Sequence, residues 1–447
     1  MSNSVSIPIR ISPYITMSEL NEPIEILKGT FELVLGKAGK GALNGSIRFR
    51  WLPCTAMEFE GVYSGPPVDL LKQDDIYLSI EAPRQDVSVM ITSSQFRPFP
   101  HRIRGVFREE GTFSSAPEVD RVRFCLVNFP GFLGSMFSYG SDSAGTFPGR
   151  LEMASRGFLC TVDAIPEVRD LRRAANQGAG FVISHVGELK PVRGTLNPET
   201  IQSLLDWMHL FFGFLRGAWS GPIFPQGFTG DQKSWEQLGS WKLSETREVS
   251  TWLPRVAPLE LNKLFSGFFE KCSDATWDSA LRTALGWHIQ ANSSVAAHET
   301  KIVIAQVVLE LLAWVQIVEN QQLHSRRDFE RLSAAGRIRA LLHHLKIPAA
   351  VPSHCPELMS LQDREAFDGP GVLVRLRNAL VHATENSRSL TVSLSGLQWW
   401  QAGQLAVQYI ELAVLALCGY QGKYARRAWR GWKGEDETFV PWSVEAK

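Results

Sequence analysis

Cysteine is scarce in this chain: six in 447 residues, at positions 54, 125, 160, 272, 355 and 418. No two of them form a Cys-x-x-Cys pair, which argues against a zinc ribbon or a dithiol redox motif. So few thiols, so irregularly spaced, fit a reducing compartment better than a disulfide scaffold. An excess of charge of either sign is also missing. Lysine plus arginine and aspartate plus glutamate both number 46. There is therefore no global basic field, and any nucleic-acid surface must be a local patch. Long apolar runs are lacking too. The longest, Ile302 to Val318, is interrupted by Gln306, Glu310 and Gln316, and reads as a buried helix rather than a membrane span. The opening Met-Ser-Asn-Ser-Val-Ser has neither the charged start nor the apolar core of a signal peptide. These absences give the expectation of a cytoplasmic protein that makes no membrane contact.

Motifs for bound cofactors are absent as well. There is no convincing Walker loop, no Gly-x-Gly-x-x-Gly after a strand and no Gly-x-Ser-x-Gly elbow. His343, His344, His354 and Cys355 invite thought of a metal. However, adjacent histidines on a helix point about 100° apart, and Pro348, Pro352 and Pro356 place a loop between them. No cofactor and no metal are expected.

What is present is an ordinary globular composition, 44% apolar and 21% charged, over a length that accommodates two or three domains. From about 30 to 195 the pattern is that of strands. Thr30–Gly36 alternates polar and apolar residues, and Ser46–Trp51 puts Ile47, Phe49 and Trp51 on one face. Further short runs follow at Met57–Tyr63, Ile76–Glu81, Val87–Thr92, Val122–Asn128, Gly157–Val162 and Phe181–Val186. Period-two runs with frequent turn residues predict an antiparallel sandwich or barrel over 1–195. Phe132–Gly149, rich in Gly, Ser and Phe, reads as a long loop.

Asn197-Pro198-Glu199-Thr200 is a helix start, with Asn as the cap and Pro in the first turn. Ile201, Leu204, Leu205, Met208, Phe211, Phe212 and Leu215 follow at helical spacing. With a strand pair around Trp235–Leu243, residues 196–255 form an expected bridge. From Pro258 everything reads as helix: Leu259–Lys271, Ala275–Ala291, Val295–Leu323, Asp328–Leu345, Gly369–Thr384 and Ser395–Tyr420. The fold class is thus multidomain α+β, a β-rich N-terminal part followed by an all-α bundle over 256–447.

The segment Arg375-Leu-Arg377-Asn378-Ala-Leu-Val-His382 carries the chemistry. At helical spacing Arg375, Asn378 and His382 share one stripe and Arg377 sits beside it, while Val372, Leu376, Ala379 and Leu380 face a core. Arginine is a fixed fork of donors for phosphate. Histidine is the side chain best placed to move protons near neutral pH. RNA brings its own nucleophile, the 2′-hydroxyl. Cutting it needs a base, an acid and positive charge on the phosphate intermediate. One copy of this segment offers one good proton carrier. Two copies across a two-fold axis would offer both, which points to a homodimer.

Arg377-Asn378-Ala379-Leu380-Val381-His382 resembles the Arg-x4-6-His signature of HEPN ribonucleases, including a polar residue directly after the arginine. Phe329-Glu-Arg-Leu and Leu341-Leu-His-His-Leu-Lys-Ile347 look like the helix and loop before that motif in abortive-infection, ApeA-like HEPN proteins. Phe212-Gly-Phe-Leu-Arg-Gly-Ala-Trp-Ser-Gly-Pro222 resembles their linker, and the closing Tyr424-Ala-Arg-Arg and Val440-Pro-Trp442 look similar to theirs. The resemblance spans about 196–447. It implies a HEPN-type bundle and a metal-independent endoribonuclease of phage defence or toxin type. Arg377 would bind phosphate, His382 would carry the proton and Asn378 would orient them. Arg375 also satisfies the longer spacing, and Ala383 stands where many relatives have proline. The N-terminal part would then sense a phage-derived trigger or restrain the nuclease, unless a neighbouring antitoxin does so. The alternative is an inactive HEPN scaffold that binds RNA, a nucleotide or a protein.

Two further features accompany the motif. Glu310 lies in an apolar helix, and a buried carboxylate needs a partner. That partner is either Arg375 or Arg377, which would make Glu310 a supporting residue of the site, or a cation elsewhere in the bundle. Lys423-Tyr-Ala-Arg-Arg-Ala-Trp-Arg-Gly-Trp-Lys433 concentrates basic and aromatic residues. Arg426, Arg427 and Arg430 are candidate RNA contacts there, and the tryptophans would cap the bundle on a final helix.

Overall fold

The computed structural model describes all residues except 1–6, 37–38, 66–74, 81–84, 96–100, 140–144, 156, 247–248, 257–259, 364–365, 383, 433 and 445–447. The fold is mixed α+β, with an antiparallel β-rich N-terminal region and a helical C-terminal region.

The β-rich region is two structures. Strands β1 (Ile24–Leu35), β2 (Lys40–Arg50), β3 (Ala56–Ser64), β4 (Ile76–Ile80), β5 (Gln85–Gln95) and β6 (His101–Phe107) close into an antiparallel barrel in the order β1-β2-β3-β6-β5-β4. Their alternating apolar residues point inward; Leu33, Leu43, Ile47, Phe49, Phe59, Leu78 and Val89 are all fully buried. A close approach of paired backbones calls for glycine where β2 meets β3. A Cβ on Gly45 would lie 2.0 Å from the Glu60 carbonyl oxygen and 2.5 Å from the Cα of its partner Gly61.

The remaining strands form one antiparallel eight-stranded sheet. They are β7 (Gly111–Ser114), β8 (Arg121–Val127), β9 (Ser135–Ser138), β10 (Thr146–Ala154), β11 (Phe158–Ala164), β12 (Ile183–Pro191), β13 (Ile223–Thr229) and β14 (Gln232–Leu238). Their order is β7-β14-β13-β8-β12-β11-β10-β9. The expected boundaries at 195 and 255 therefore fall inside one architecture, because β13 and β14 of the bridge pair with β8 and β7 of the N-terminal part. The expected loop over Phe132–Gly149 carries β9 and the start of β10, and its residues 140–144 lie outside the described residues. A helix, α1 (Arg169–Gly178), intervenes before β12.

Both faces of this sheet are covered, which is why β8 reads as a nearly continuous apolar run, Phe124-Cys-Leu-Val127. Phe124 and Leu126 join a core shared with the helices, while Cys125 and Val127 join the barrel core. The helix α2 (Pro198–Arg216) makes the first layer on the helical side. Asn197 caps it by accepting from the Thr200 N–H at 2.8 Å, and Phe212 meets Phe124 with ring centroids 5.8 Å apart. Truncating such a buried ring to alanine costs about 3–5 kcal/mol. Beyond α2, the expected linker segment is fixed by a buried arginine. Arg216 donates to the carbonyls of Ser244 (3.1 Å) and Glu245 (2.9 Å). Burial pushes its guanidinium down to about 9, and its hydrogen bonds tie the end of α2 to the segment at 244–245.

The helical part holds α3 (Leu261–Cys272), α4 (Ala275–Asn292), α5 (His298–Trp314), α6 (Arg326–Glu330), α7 (Ala334–His344), α8 (Pro356–Met359), α9 (Gly369–Val381), α10 (Glu385–Ser393) and α11 (Gly396–Leu417). The apolar α5 continues as a π turn over Val315–Asn320 and packs along α11, α4 and α7. By length and composition it could cross a membrane, yet 61% of that stretch is buried inside the bundle. The predicted helix Asp328–Leu345 is broken into α6 and α7, because Ser333 caps a new start by accepting from the Gly336 N–H at 3.1 Å. The C-terminal region is also not helical throughout. Lys423–Ala425 (β15) pairs with Glu437–Phe439 (β16), so the expected final helix is a short two-stranded turn structure.

Candidate active site

Helix α9 begins at a strong cap. Asp368 accepts from the Gly371 N–H at 2.8 Å and pairs with both Nε (2.6 Å) and Nη2 (2.9 Å) of Arg339 on α7. Asp-Gly-Pro is a legible N-terminal signature, although Asp368 was not singled out from the sequence. The helix buries Val372, Leu373, Leu376 and Ala379. This apolar stripe fixes the rotation of the helix and leaves Arg375, Asn378 and His382 on the solvent side, all exposed.

The two arginines differ in their partners. Arg375 forms an ion pair with Asp363 and reaches the Leu361 carbonyl at 3.4 Å. Among the described residues Arg377 has no carboxylate partner; its Nη1 donates to Asn378 Oδ1 at 3.2 Å, and its shielded Nε has no acceptor there. The imidazole of His382 is exposed at the end of α9, where its backbone leaves helical geometry (φ −102°, ψ 102°) and its N–H still donates to the Asn378 carbonyl at 2.9 Å. Ala383 lies outside the described residues. One helix end thus presents a guanidinium, an amide and an imidazole, a set able to bind a phosphate and move a proton.

Glu310 does not reach this set. Its Oε2 accepts from Arg337 Nη1 at 3.0 Å and its Oε1 from Gln306 Nε2 at 2.8 Å. Its partner is on α7, so of the two expected pairings the one with Arg375 or Arg377 is corrected.

Of the three C-terminal arginines, Arg427 is also corrected. It is 4% exposed. Its Nε and Nη2 grip Glu411 on α11 at 2.7 and 2.6 Å, Nη1 donates to Gln404 at 3.0 Å, and Nη2 also reaches the Ser250 carbonyl at 3.2 Å. His288 on α4 lies 3.3 Å from the same carboxylate. Burial pushes the Glu411 carboxyl up, but the Arg427 guanidinium and His288 outweigh it and hold it below the usual range. Arg427 therefore welds the C-terminal segment to α11 and is not a surface contact. Arg426 is half-buried and stacked over Trp429, 4.1 Å from the ring centroid, and Arg430 is exposed. His344 meets Gln316 at 2.9 Å and His354 meets the Arg427 carbonyl at 3.1 Å, so the histidines near Cys355 are spread over separate contacts.

Fold and site together define a barrel, a sheet covered on both faces and a helical region with a polar motif at one helix end. Residues 114–249 match the YopA central domain and residues 274–438 match the YopA C-terminal domain. The chain is similar to the SPbeta prophage-derived uncharacterized protein YopA of Bacillus subtilis (strain 168), 26% identical over 437 residues, covering 95% of this chain and 96% of that protein. No solved structure matches it. The candidate motif falls within the C-terminal match.

Proposed function

We propose that the chain is a metal-independent endoribonuclease of HEPN type, acting in phage defence or as a toxin. The observation that carries this reading is the different state of the two arginines. Arg375 is engaged by Asp363, whereas Arg377 lies against Asn378 on the same helix end as His382 and has no carboxylate partner among the described residues. In this reading Arg377 holds the phosphate and its developing charge, and Asn378 orients the guanidinium. His382 takes the 2′-hydroxyl proton or returns one to the leaving 5′-oxygen. A second proton carrier comes from another copy of the chain. Helix α10 beside the motif buries none of its residues, with Val392 86% exposed and Val381 48% exposed, which supports a homodimer covering that side. The barrel and sheet would restrain the nuclease or sense its trigger. The prophage origin in the printed name of the B. subtilis relative fits a role in competition with phage.

The test is incubation of the purified full chain with labelled single-stranded RNA and excess chelator. The reading expects cleavage that survives the chelator and is lost in His382→Ala. Tight binding without products would instead support an RNA-binding scaffold.

A further inference from the structure

A cavity of about 510 Å³ lies where the sheet region, the connecting segment and the C-terminal turn meet. It is separate from the α9 motif and within the range of small-ligand sites. Pro130 and Gly131 form the sheet-side wall, residues 249–255 a second, α11 a third, and residues 425–432 with 434–437 the fourth.

Its lining has three kinds of chemistry. Trp400, Trp429 and Trp432 supply aromatic faces, and Trp432 is 82% exposed at the rim. An indole left in water at a cavity mouth offers a stacking face for a planar group. Arg426 and Arg255 supply guanidinium groups. Arg426 spends Nε and Nη2 on the Asp436 and Glu435 carbonyls, at 3.3 and 2.9 Å, and stacks on Trp429 with no carboxylate partner among the described residues. Asp436 and Glu437 supply acceptors. Each carboxylate takes one backbone N–H, from Gly434 at 2.7 Å and from Arg255 at 3.0 Å, which leaves further lone pairs for hydroxyl donors.

The floor is rigid. Gln404 and Arg427 line it, both nearly buried, and Arg427 is held by Glu411. The wall at Trp429 also touches His354, with ring centroids 5.8 Å apart. Aromatic faces for a base, carboxylates for ribose hydroxyls and guanidinium groups for a single phosphate make one consistent set. A purely apolar or a polyanionic ligand would leave part of this set unmatched.

We infer that this cavity binds one nucleotide unit, with its base against Trp400 and Trp432, its ribose at Asp436 and Glu437, and its phosphate at Arg426 and Arg255. The unit is either a free nucleoside monophosphate or one residue of a single-stranded RNA. The proposal does not depend on the nuclease reading, because its readout is binding.

The experiment titrates the full chain with AMP, GMP, CMP and UMP in one arm, and with a short single-stranded oligoribonucleotide in the other. Binding is followed by tryptophan fluorescence and equilibrium dialysis, alongside Trp432→Ala and Arg255→Ala. Both variants change exposed side chains and keep the buried floor. Saturable binding of a mononucleotide that weakens about tenfold or more in the variants supports a free nucleotide. The same loss seen only with the oligoribonucleotide supports an RNA strand. Absence of saturable binding in both arms up to about 5 mM, or affinities within about twofold of wild type in both variants, would overturn the proposal.

Discussion

Arg377 donates from Nη1 to Asn378 Oδ1 at 3.2 Å, which joins two members of the motif along the outer side of α9. Two residues earlier Arg375 is tied instead to Asp363. Sequence spacing could not choose between these arginines, and in the proposed reading their different partners favour Arg377. Arg377→Ala is expected to lower RNA cleavage by about a hundredfold or more, the usual cost of removing a group that stabilises developing charge. Arg375→Ala is expected to lower it less than about threefold, since Asp363 and the Leu361 carbonyl hold that guanidinium away from Asn378. Initial rates on one RNA substrate decide this, and equal losses would refute the assignment.

The Glu310–Arg337 pair is part-exposed on both sides, 24% and 30%. Glu310→Gln is expected to cost no more than about 1 kcal/mol in a denaturant titration and to leave cleavage within about twofold of wild type. A large loss of activity with unchanged stability would put Glu310 back at the site.

Arg427 and Glu411 are another matter, 1% and 0% exposed in their side chains. Removing one partner strands the other charge in the core. Arg427→Met is expected to destabilise the full chain by about 3–5 kcal/mol, read as a lower unfolding midpoint. An RNA-binding defect with undiminished stability would contradict the structural role given to this arginine.

Acid should weaken the fold in two stages. Burial, aided by Lys242, pushes His209 down to about 4, whereas the unfolded chain binds that proton at about 6.5. Stability therefore falls as pH drops from about 6.5 towards 4, because the unfolded state takes up the proton first. Glu411 is held below its usual range, so its contribution is present above about 4.3 and is lost as pH falls through its lower folded value. Melting temperatures across this range check both stages. Burial also pushes down His185, His298 and His354, which act in the same window with the same sign; His209→Gln should therefore remove only part of the upper stage, and an unchanged profile in that variant would exclude His209 as a contributor.

Much of the helical region was legible because its signals are local. The cap at Asn197, the apolar stripe of α9 and the long apolar α5 and α11 each follow from residues within a few turns. The break at Ser333 was legible in principle, since serine three residues before Gly336 is a cap, but continuous apolar spacing across it hid the stop. The division of the β part was not legible. Period-two runs look alike whether a strand closes a barrel or joins a sheet, and β13 and β14 pair with partners over a hundred residues away in the chain, such as Phe228 with Arg121. Arg427 looked like a surface cation for the same reason. Nothing adjacent to it reports that Glu411 waits in the core.

The central claim is nucleophilic attack by the RNA's own 2′-hydroxyl at the α9 motif, and the ends of the products test it most directly. Cleavage in excess chelator is expected to leave 2′,3′-cyclic phosphate and 5′-hydroxyl ends. It should stop when a 2′-deoxy residue replaces the cleaved one, and should fall at least about a hundredfold in His382→Ala. Cleavage of the 2′-deoxy substrate, or wild-type rates from His382→Ala, would contradict the account.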